Sequence, residues 1–298
     1  MEEIPGCEMA EPLIAKMKSR YPSFSKGQKR IAAYITQHYD KAAFMTAAAL
    51  GEVAGVSEST VVRFAAELGY SGYPELQKQL RESVKSRLTS IQRMEVANAR
   101  IGEHDVLDTA LLADIDMIRT TREQISREAF SASVDALNQA KCIYIIGLRS
   151  SAALASFTAF YFNLIYDRVH LVNTTSASEV FDQIYRIQAE DVCVAISFPR
   201  YSRQTINALR FAADRGATVV ALTDSEDSPL APFATHLLTA RSNMVSFVDS
   251  LTAPLSLLNA LIAAAARRRQ ADVYQNLQAL EGIWEEYQIY QKQEEDSL

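Results

Sequence analysis

Ser57, Glu58, Ser59, Thr60 and Arg63 form a run of short hydroxyls, one carboxylate and one guanidinium inside LGEVAGVSESTVVRFAAELGY, residues 50–70. Side chains of this kind hydrogen-bond base edges, and the arginine fork fits guanine or a pair of phosphate oxygens. Two further clusters are Gly147, Arg149, Ser150 and Ser151 in GLRSSA, and Ser197, Arg200, Tyr201 and Ser202 in SFPRYS. Hydroxyls and cations beside the free N–H groups of a helix start suit a small anion such as phosphate. GLRSSA lacks the second and third glycines of G-x-G-x-x-G, so it is no dinucleotide fingerprint, and neither cluster is a P-loop.

The first cluster needs a helix to present it. Ser25 precedes KGQKRIAAYITQHYD, where Ile31, Tyr34, Ile35 and His38 recur at the spacing of one buried face. Ser25, Thr46 and Ser57 are each positioned to cap a helix, Gly55 permits a tight turn, Val56 plugs the angle between helices, and Gly69 closes the third. In that third helix Val61, Phe64 and Leu68 face inward, which leaves Glu58, Ser59, Thr60 and Arg63 outside. A second helix so arranged enters the major groove, with Arg63 at a guanine or phosphate and Lys26, Lys29 and Arg30 holding the DNA backbone. The same pattern also suits a plain three-helix module with solvated polar groups. Charge weighs against that: 16–93 carries thirteen Lys and Arg against six Asp and Glu, a balance of +7, on a chain whose net charge is −6. A local basic surface suggests a polyanion partner.

The serine clusters need strands. After residue 129 short continuous apolar runs appear: CIYII (142–146), VHLV (169–172), VCVAI (192–196), TVVAL (218–222) and HLLTA (236–240). Each is expected to be a parallel strand buried on both faces, with helices at 151–165, 178–188 and 202–215 as crossovers and two more at 248–269 and 272–290. GLRSSA and SFPRYS then follow the first and third strands, where open α/β sheets bind ligands. Each alone is weak, because serine is a common helix cap; the pair carries more. Between 76 and 127 the chain is polar and helix-favouring, a helical connector in which Leu107, Leu111, Ile115 and Ile118 share a face that packs on the second domain or on a partner chain, core packing being the expected use.

Composition excludes other classes. With 298 residues, 48% hydrophobic and 22% charged, the chain is neither disordered nor fibrous. The apolar stretch 251–266 is broken by Thr252, Pro254, Ser256 and Asn259 and is too short for a membrane span. The beginning, MEEIPGCEMAEP, reads as neither signal nor transit peptide, so the cytoplasm is expected. Cys7, Cys142 and Cys193 form no CxxC pair, and His38, His104, His170 and His236 lack ligand spacing, so no metal, disulfide or cofactor is expected.

FSKGQKRIAAYI (24–35) and VSESTVVRFAAELGYSGYPELQKQL (56–80) closely resemble the N-terminal domain of the MurR/RpiR family of bacterial transcription regulators. Its S-x-x-T-x-x-R signature implies that Ser57, Thr60 and Arg63 open the recognition helix. The two serine loops resemble the sugar isomerase (SIS) domain that forms the C-terminal half of these regulators and binds phosphosugars. The resemblance implies a three-layer α/β/α, flavodoxin-like domain with a five-stranded parallel sheet, in which Ser151, Ser197 and Ser202 hold the phosphate. Two glycines of the SIS motifs are replaced: Arg149 stands for the second glycine of G-x-G-x-S, and Pro199-Arg200 for the Ser-Gly of S-x-S-G-x-T.

The expected organisation is a helix-turn-helix domain at 1–88, a helical connector at 89–125 and a SIS domain with C-terminal helices at 126–298. The expected function is a regulator that binds double-stranded, palindromic operator DNA as a homodimer or higher homo-oligomer and senses a phosphosugar or related anionic metabolite. Self-association is expected through 154–165 and 251–266. The competing reading is a phosphosugar isomerase with an accessory N-terminal domain. Against it, no catalytic constellation stands out, and Glu179 reads as a first-turn carboxylate favoured by its helix dipole.

Overall fold

The computed structural model of the protein describes residues 11–85, 88–101, 105–174, 176–244 and 246–290, and the chain falls into two units, Met1–Glu103 and His104–Leu298. The stretch expected as a connector is divided between them, its first helix going with one unit and its second with the other.

The first unit runs α1 (Glu11–Arg20), α2 (Lys26–Gln37), α3 (Tyr39–Ala42), α4 (Ala47–Ala54), α5 (Glu58–Glu67), α6 (Tyr73–Lys85) and α7 (Ser90–Ile101). Its helix starts follow local chemistry. Ser25 Oγ accepts from Gln28 N and Gln28 Oε1 accepts from Ser25 N, a reciprocal box that satisfies two donors a helix start leaves open. Thr46 Oγ1 accepts from Ala49 N at 3.2 Å. Ser57 occupies the cap position of α5, yet its Oγ makes no bond to a helix N–H. It is engaged instead with Ser59 Oγ and Thr60 Oγ1, each 2.9 Å away, so the expected side-chain cap gives way to a cluster of three hydroxyls.

Ile31, Ile35, Leu50, Val61, Phe64, Leu68 and Leu76 form the buried centre of this unit, with Phe24 edge-on to Phe64 at 5.2 Å. Tyr34 is half-buried and His38 exposed, because α2 ends at Gln37 and the helical face predicted through His38 stops there.

The second unit comprises α8 (Val106–Gln124), α9 (Arg127–Gln139), β1 (Ile143–Gly147), α10 (Ala152–Ile165), β2 (Val169–Val172), α11 (Ala177–Ile184), β3 (Val192–Ile196), α12 (Arg203–Asp214), β4 (Thr218–Thr223), β5 (His236–Thr239), α13 (Thr252–Arg268) and α14 (Gln270–Glu286). All neighbouring strands pair in parallel, in the order β2-β1-β3-β4-β5. β1 and β3 are buried at every residue, as their unbroken apolar runs require. β2 and β5 are only partly buried, contrary to the expectation for all five runs, because they are the two edges of the sheet.

Alternate residues of each central strand serve opposite layers. Ile143, Ile145, Val194 and Ile196 pack with α9, α10 and α13, while Tyr144, Ile146, Cys193 and Ala195 pack with α11 and α12. The apolar faces of α10 and α13, expected to drive self-association, are largely spent in this core: Leu154, Ala159, Phe162 and Ile165 of α10 and Leu257, Leu258 and Leu261 of α13 are buried. Phe160 and Tyr161 remain exposed. On α8 the outcome is the reverse of the expected core packing. Met117 and Thr121 face inward, whereas Leu107, Leu111, Ile115 and Ile118 lie on the solvent side. No helix among the described residues is long and apolar enough to cross a membrane.

Candidate functional site

The turn between α4 and α5 is built by close backbone approach. Gly55 closes α4 in the left-handed region at φ 64°, and Arg30 Nη2 donates to its carbonyl at 2.7 Å. Arg30, expected at the DNA backbone, thus also braces the turn. Gly51 matters as much and the sequence reading passed over it: a Cβ there would meet Val56 O at 2.9 Å. Beyond the turn Val61, Phe64 and Leu68 are buried, and Glu58, Ser59 and Arg63 are exposed on the far side. Arg63 Nε donates to Ser59 O at 3.3 Å, which lays the side chain along the helix toward its N-terminal turn. Lys26 is exposed, and Lys29 lies over the Tyr21 ring at 5.5 Å. Val62, also not foreseen, is exposed beside Arg63 and offers an apolar contact of the kind a thymine methyl accepts.

In the second unit the chain leaves β1 toward β2 on one side and β3 toward β4 on the other. α10 and α12 therefore cover opposite faces, and the strand order switches between β1 and β3, the place where such sheets bind ligands outside their carboxyl ends. Gly147 pairs with Ile196 in the last register of β1 and β3, so both serine loops leave adjacent strands at that point. A Cβ on Gly147 would stand 2.6 Å from Ser151 O, so only glycine lets the chain fold back into α10 here.

Arg149 and Arg200 both have left-handed backbone, φ 58° and 67°. These are the two positions where the SIS motifs carry glycine, and the arginines keep the glycine conformation at a cost of about 1–2 kcal/mol each. Ser151 and Ser197 are buried. Ser197 Oγ accepts from Ser202 N at 3.3 Å, Ser202 Oγ accepts from Thr205 N at 3.4 Å as the cap of α12, and Tyr201 OH donates to Asp224 Oδ1 at 2.7 Å. The second loop is thus tied at its base to its own helix and at Tyr201 to the end of β4, with Arg200 exposed between. Ser151, by contrast, makes no cap bond to α10.

Glu179 lies in the first turn of α11 and accepts from Thr174 Oγ1, as a dipole-favoured carboxylate would. Burial pushes the Cys193 thiol up to about 12, in keeping with a small apolar role. At the opposite, amino-terminal edge of the sheet lies a cavity of about 490 Å³ lined by Lys141, Tyr144, Arg168, His170, Arg186 and Asp191, among others. Its residues come from strand beginnings scattered along the chain, and no local motif marks them.

A helix-turn-helix unit joined to a parallel α/β unit with hydroxyl-rich strand ends is the architecture of a regulator with its own ligand-binding domain. Residues 12–87 match the helix-turn-helix domain of the rpiR family, and residues 136–264 match the SIS domain. The chain belongs to the RpiR family of transcriptional regulators. Its relatives include the HTH-type transcriptional regulators HexR of Pseudomonas aeruginosa, 27% identical over 90% of this chain and 94% of that one, and HexR of Escherichia coli, 27% identical over 89% and 91%. Among solved structures, the sugar isomerase domain of an RpiR transcription factor from Sphaerobacter thermophilus is 29% identical, covering 57% of this chain and 95% of that one with a TM-score of 0.55. The NanR protein of Vibrio vulnificus, solved in complex with ManNAc-6P, shares the fold at 22% identity and a TM-score of 0.57, covering 91% of this chain and 97% of that one.

Proposed function

We propose that the protein binds operator DNA through α5 and that an anionic sugar, a phosphosugar or a related sugar acid, binds between the loops after β1 and β3 and alters DNA binding. The observation that carries this is the convergence of two Ser/Arg loops on the strand-order switch, at the N-terminal ends of α10 and α12. In this reading Ser151, Ser197 and Ser202 hold the anion with the open N–H groups of the helix starts, Gly147 allows the close approach, and Arg149, Ser150, Arg200 and Tyr201 line the mouth. The complex of NanR with ManNAc-6P supports the same ligand class.

On the DNA, Ser57, Glu58, Ser59, Thr60 and Arg63 face the major groove, and Lys26, Lys29 and Arg30 hold phosphates. The protein acts in the cytoplasm as a symmetric oligomer on a palindromic site whose half-sites lie about 34 Å apart. The effector shifts DNA affinity through unequal affinity for two states of that oligomer. A regulator is favoured over an isomerase by the match of residues 12–87 to the helix-turn-helix domain of the rpiR family.

The test is fluorescence anisotropy of the full chain on its own upstream DNA at fixed salt, with a panel of sugar phosphates and sugar acids. Selective binding altered by one compound is expected, and Ser197→Ala with Ser202→Ala should abolish the alteration while leaving DNA binding intact. Equal affinity for operator and scrambled DNA, with turnover of a sugar phosphate, would transfer the assignment to an isomerase.

A further inference from the structure

The beginnings of β2, β1 and β3, at the end of the sheet opposite the serine loops, carry a second row of polar chemistry. Ile143 pairs with Val169 on one side and with Val192 on the other, Ile143 N donates to Arg168 O at 3.0 Å, and Val192 N donates to Cys142 O at 3.0 Å. Arg168, Cys142 and Asp191 therefore stand abreast, each one residue before a paired position, and the pleat turns them to the face opposite Ile143. Tyr144 and His170, paired in register, follow two residues on and share that face. All five line the cavity of about 490 Å³, a volume within the range of small-molecule sites.

The row holds opposite charges apart. Asp191 is only 6% exposed, and Gln188 N donates to its Oδ2 at 2.9 Å, which leaves Oδ1 as an acceptor. A buried carboxylate is costly without a countercharge, and no cation among the described residues forms an ion pair with it. Lys141 is taken up by Glu190 at 2.7 Å. Arg168 is exposed, and its side chain makes no hydrogen bond or ion pair among the described residues. With β1 between them, the backbones of Arg168 and Asp191 lie about 10 Å apart, a gap that the reach of the two side chains narrows to the size of a small zwitterion. Arg186, also in the lining, donates to Tyr185 OH through Nε at 2.7 Å and keeps its terminal nitrogens for other acceptors.

The groups between the charged ends are neutral. Burial, reinforced by Asp191, raises the Cys142 thiol, and burial pushes the Tyr144 hydroxyl up to about 12. The Tyr144 and His170 rings are stacked, their centroids 5.4 Å apart and their planes 13° from parallel, and give one wall an aromatic surface. Lys141, Arg168 and Arg186 balance Asp167, Glu190 and Asp191 around the lining, so neither a bare anion nor a bare cation is favoured.

We propose that this cavity is a second ligand site, for a free amino acid: the ammonium donates to Asp191 Oδ1, the carboxylate accepts from Arg168 and Arg186, and the side chain lies against the Tyr144–His170 pair. The ammonium supplies the countercharge that Asp191 lacks. The site shares no residue with the serine loops, so the inference stands or falls separately from the sugar reading.

Isothermal titration calorimetry of the full chain against a panel of the common amino acids tests it. Saturable binding of one amino acid, or of a chemically related group, is expected at micromolar to millimolar concentrations. Its carboxamide and its deaminated analogue each lack one charged end and should bind at least about 10-fold more weakly, as loss of a charged hydrogen bond requires. Arg168→Ala and Asp191→Asn should each weaken binding by at least about the same factor. Arg168 is exposed, and asparagine keeps an acceptor for Gln188 N, so unchanged circular dichroism melts should accompany both results; if Asp191→Asn lowers the melt, Arg168→Ala alone decides. Ser197→Ala with Ser202→Ala should leave the binding intact. The proposal is overturned by the absence of binding up to millimolar concentrations, by equal binding of the carboxamide and the deaminated analogue, or by binding indifferent to Arg168→Ala. Binding lost only in the serine variant also overturns it and places the amino acid at the strand-end loops.

Discussion

Replacing Gly51 by alanine sets two effects against each other. In an exposed helix interior, alanine is favoured over glycine by about 1 kcal/mol. At this position in α4 the new Cβ would lie 2.9 Å from Val56 O and 3.3 Å from Glu58 N, inside the 3.4 Å at which ordinary contact begins. Both neighbours are backbone, so neither can swing aside as a side chain would. Val56 N also donates to Gly51 O at 2.8 Å, so separating the strands of the turn strains that bond as well. Overpacking of this kind costs about 1–3 kcal/mol and the weakened hydrogen bond about 1 more, which together exceed the propensity gain. A net loss of about 1–3 kcal/mol is expected, lowering the melting of the first unit by roughly 5–15 °C. Calorimetry of the full chain reads this, and anisotropy on operator DNA should show affinity down at least about 10-fold, because α5 begins at the displaced residues. If Gly51→Ala instead raises the melting temperature and leaves operator affinity unchanged, the close approach does not hold α5 in position.

Arg63→Ala should weaken operator binding by about 1–3 kcal/mol and relax selectivity, whereas Lys26→Ala should weaken operator and scrambled DNA alike and flatten the salt dependence by about one unit of slope; competition titrations over a salt series separate the two. Arg149→Gly releases a left-handed backbone, so the second unit should gain up to about 1 kcal/mol in urea unfolding while its response to the effector falls. Cys193 should resist iodoacetamide at pH 8, since with a thiol at about 12 roughly one molecule in 10⁴ carries the thiolate; alkylation comparable to that of a free thiol, followed by mass spectrometry, would contradict the burial.

The strands were legible because β1 and β3 are buried on both faces and carry unbroken apolar runs, and the register shifts from expectation by a residue at most. The caps at Ser25 and Thr46 were legible because a side-chain oxygen three residues before a free N–H is a local matter. What could not be read was non-local. The strand order that brings Gly147 beside Ile196 depends on pairing across some fifty residues, and the value of Gly51 depends on where Val56 ends up. The stripe on α8 has the spacing of a core face, and spacing alone cannot tell a face buried in its own domain from one left open. α1 escaped notice because its polar, Lys-rich face dominates the pattern, although Leu13 and Met17 are buried.

The position of β3 next to β1 also bears on how the chain is made. The first unit consists of helices whose partners are near in sequence, and its reading helix and α6 are complete by Lys85. The central pair of the sheet cannot close until β3 has been synthesised, and the loop through Ser202 comes about 100 residues after α7, the last helix of the first unit, ends at Ile101. At ordinary translation rates that interval is roughly 5–20 s, during which a nascent chain carries a finished helix-turn-helix unit and no assembled pair of serine loops. For that time the growing polypeptide is a reader without its sensor, and its affinity for DNA is set by the first unit alone.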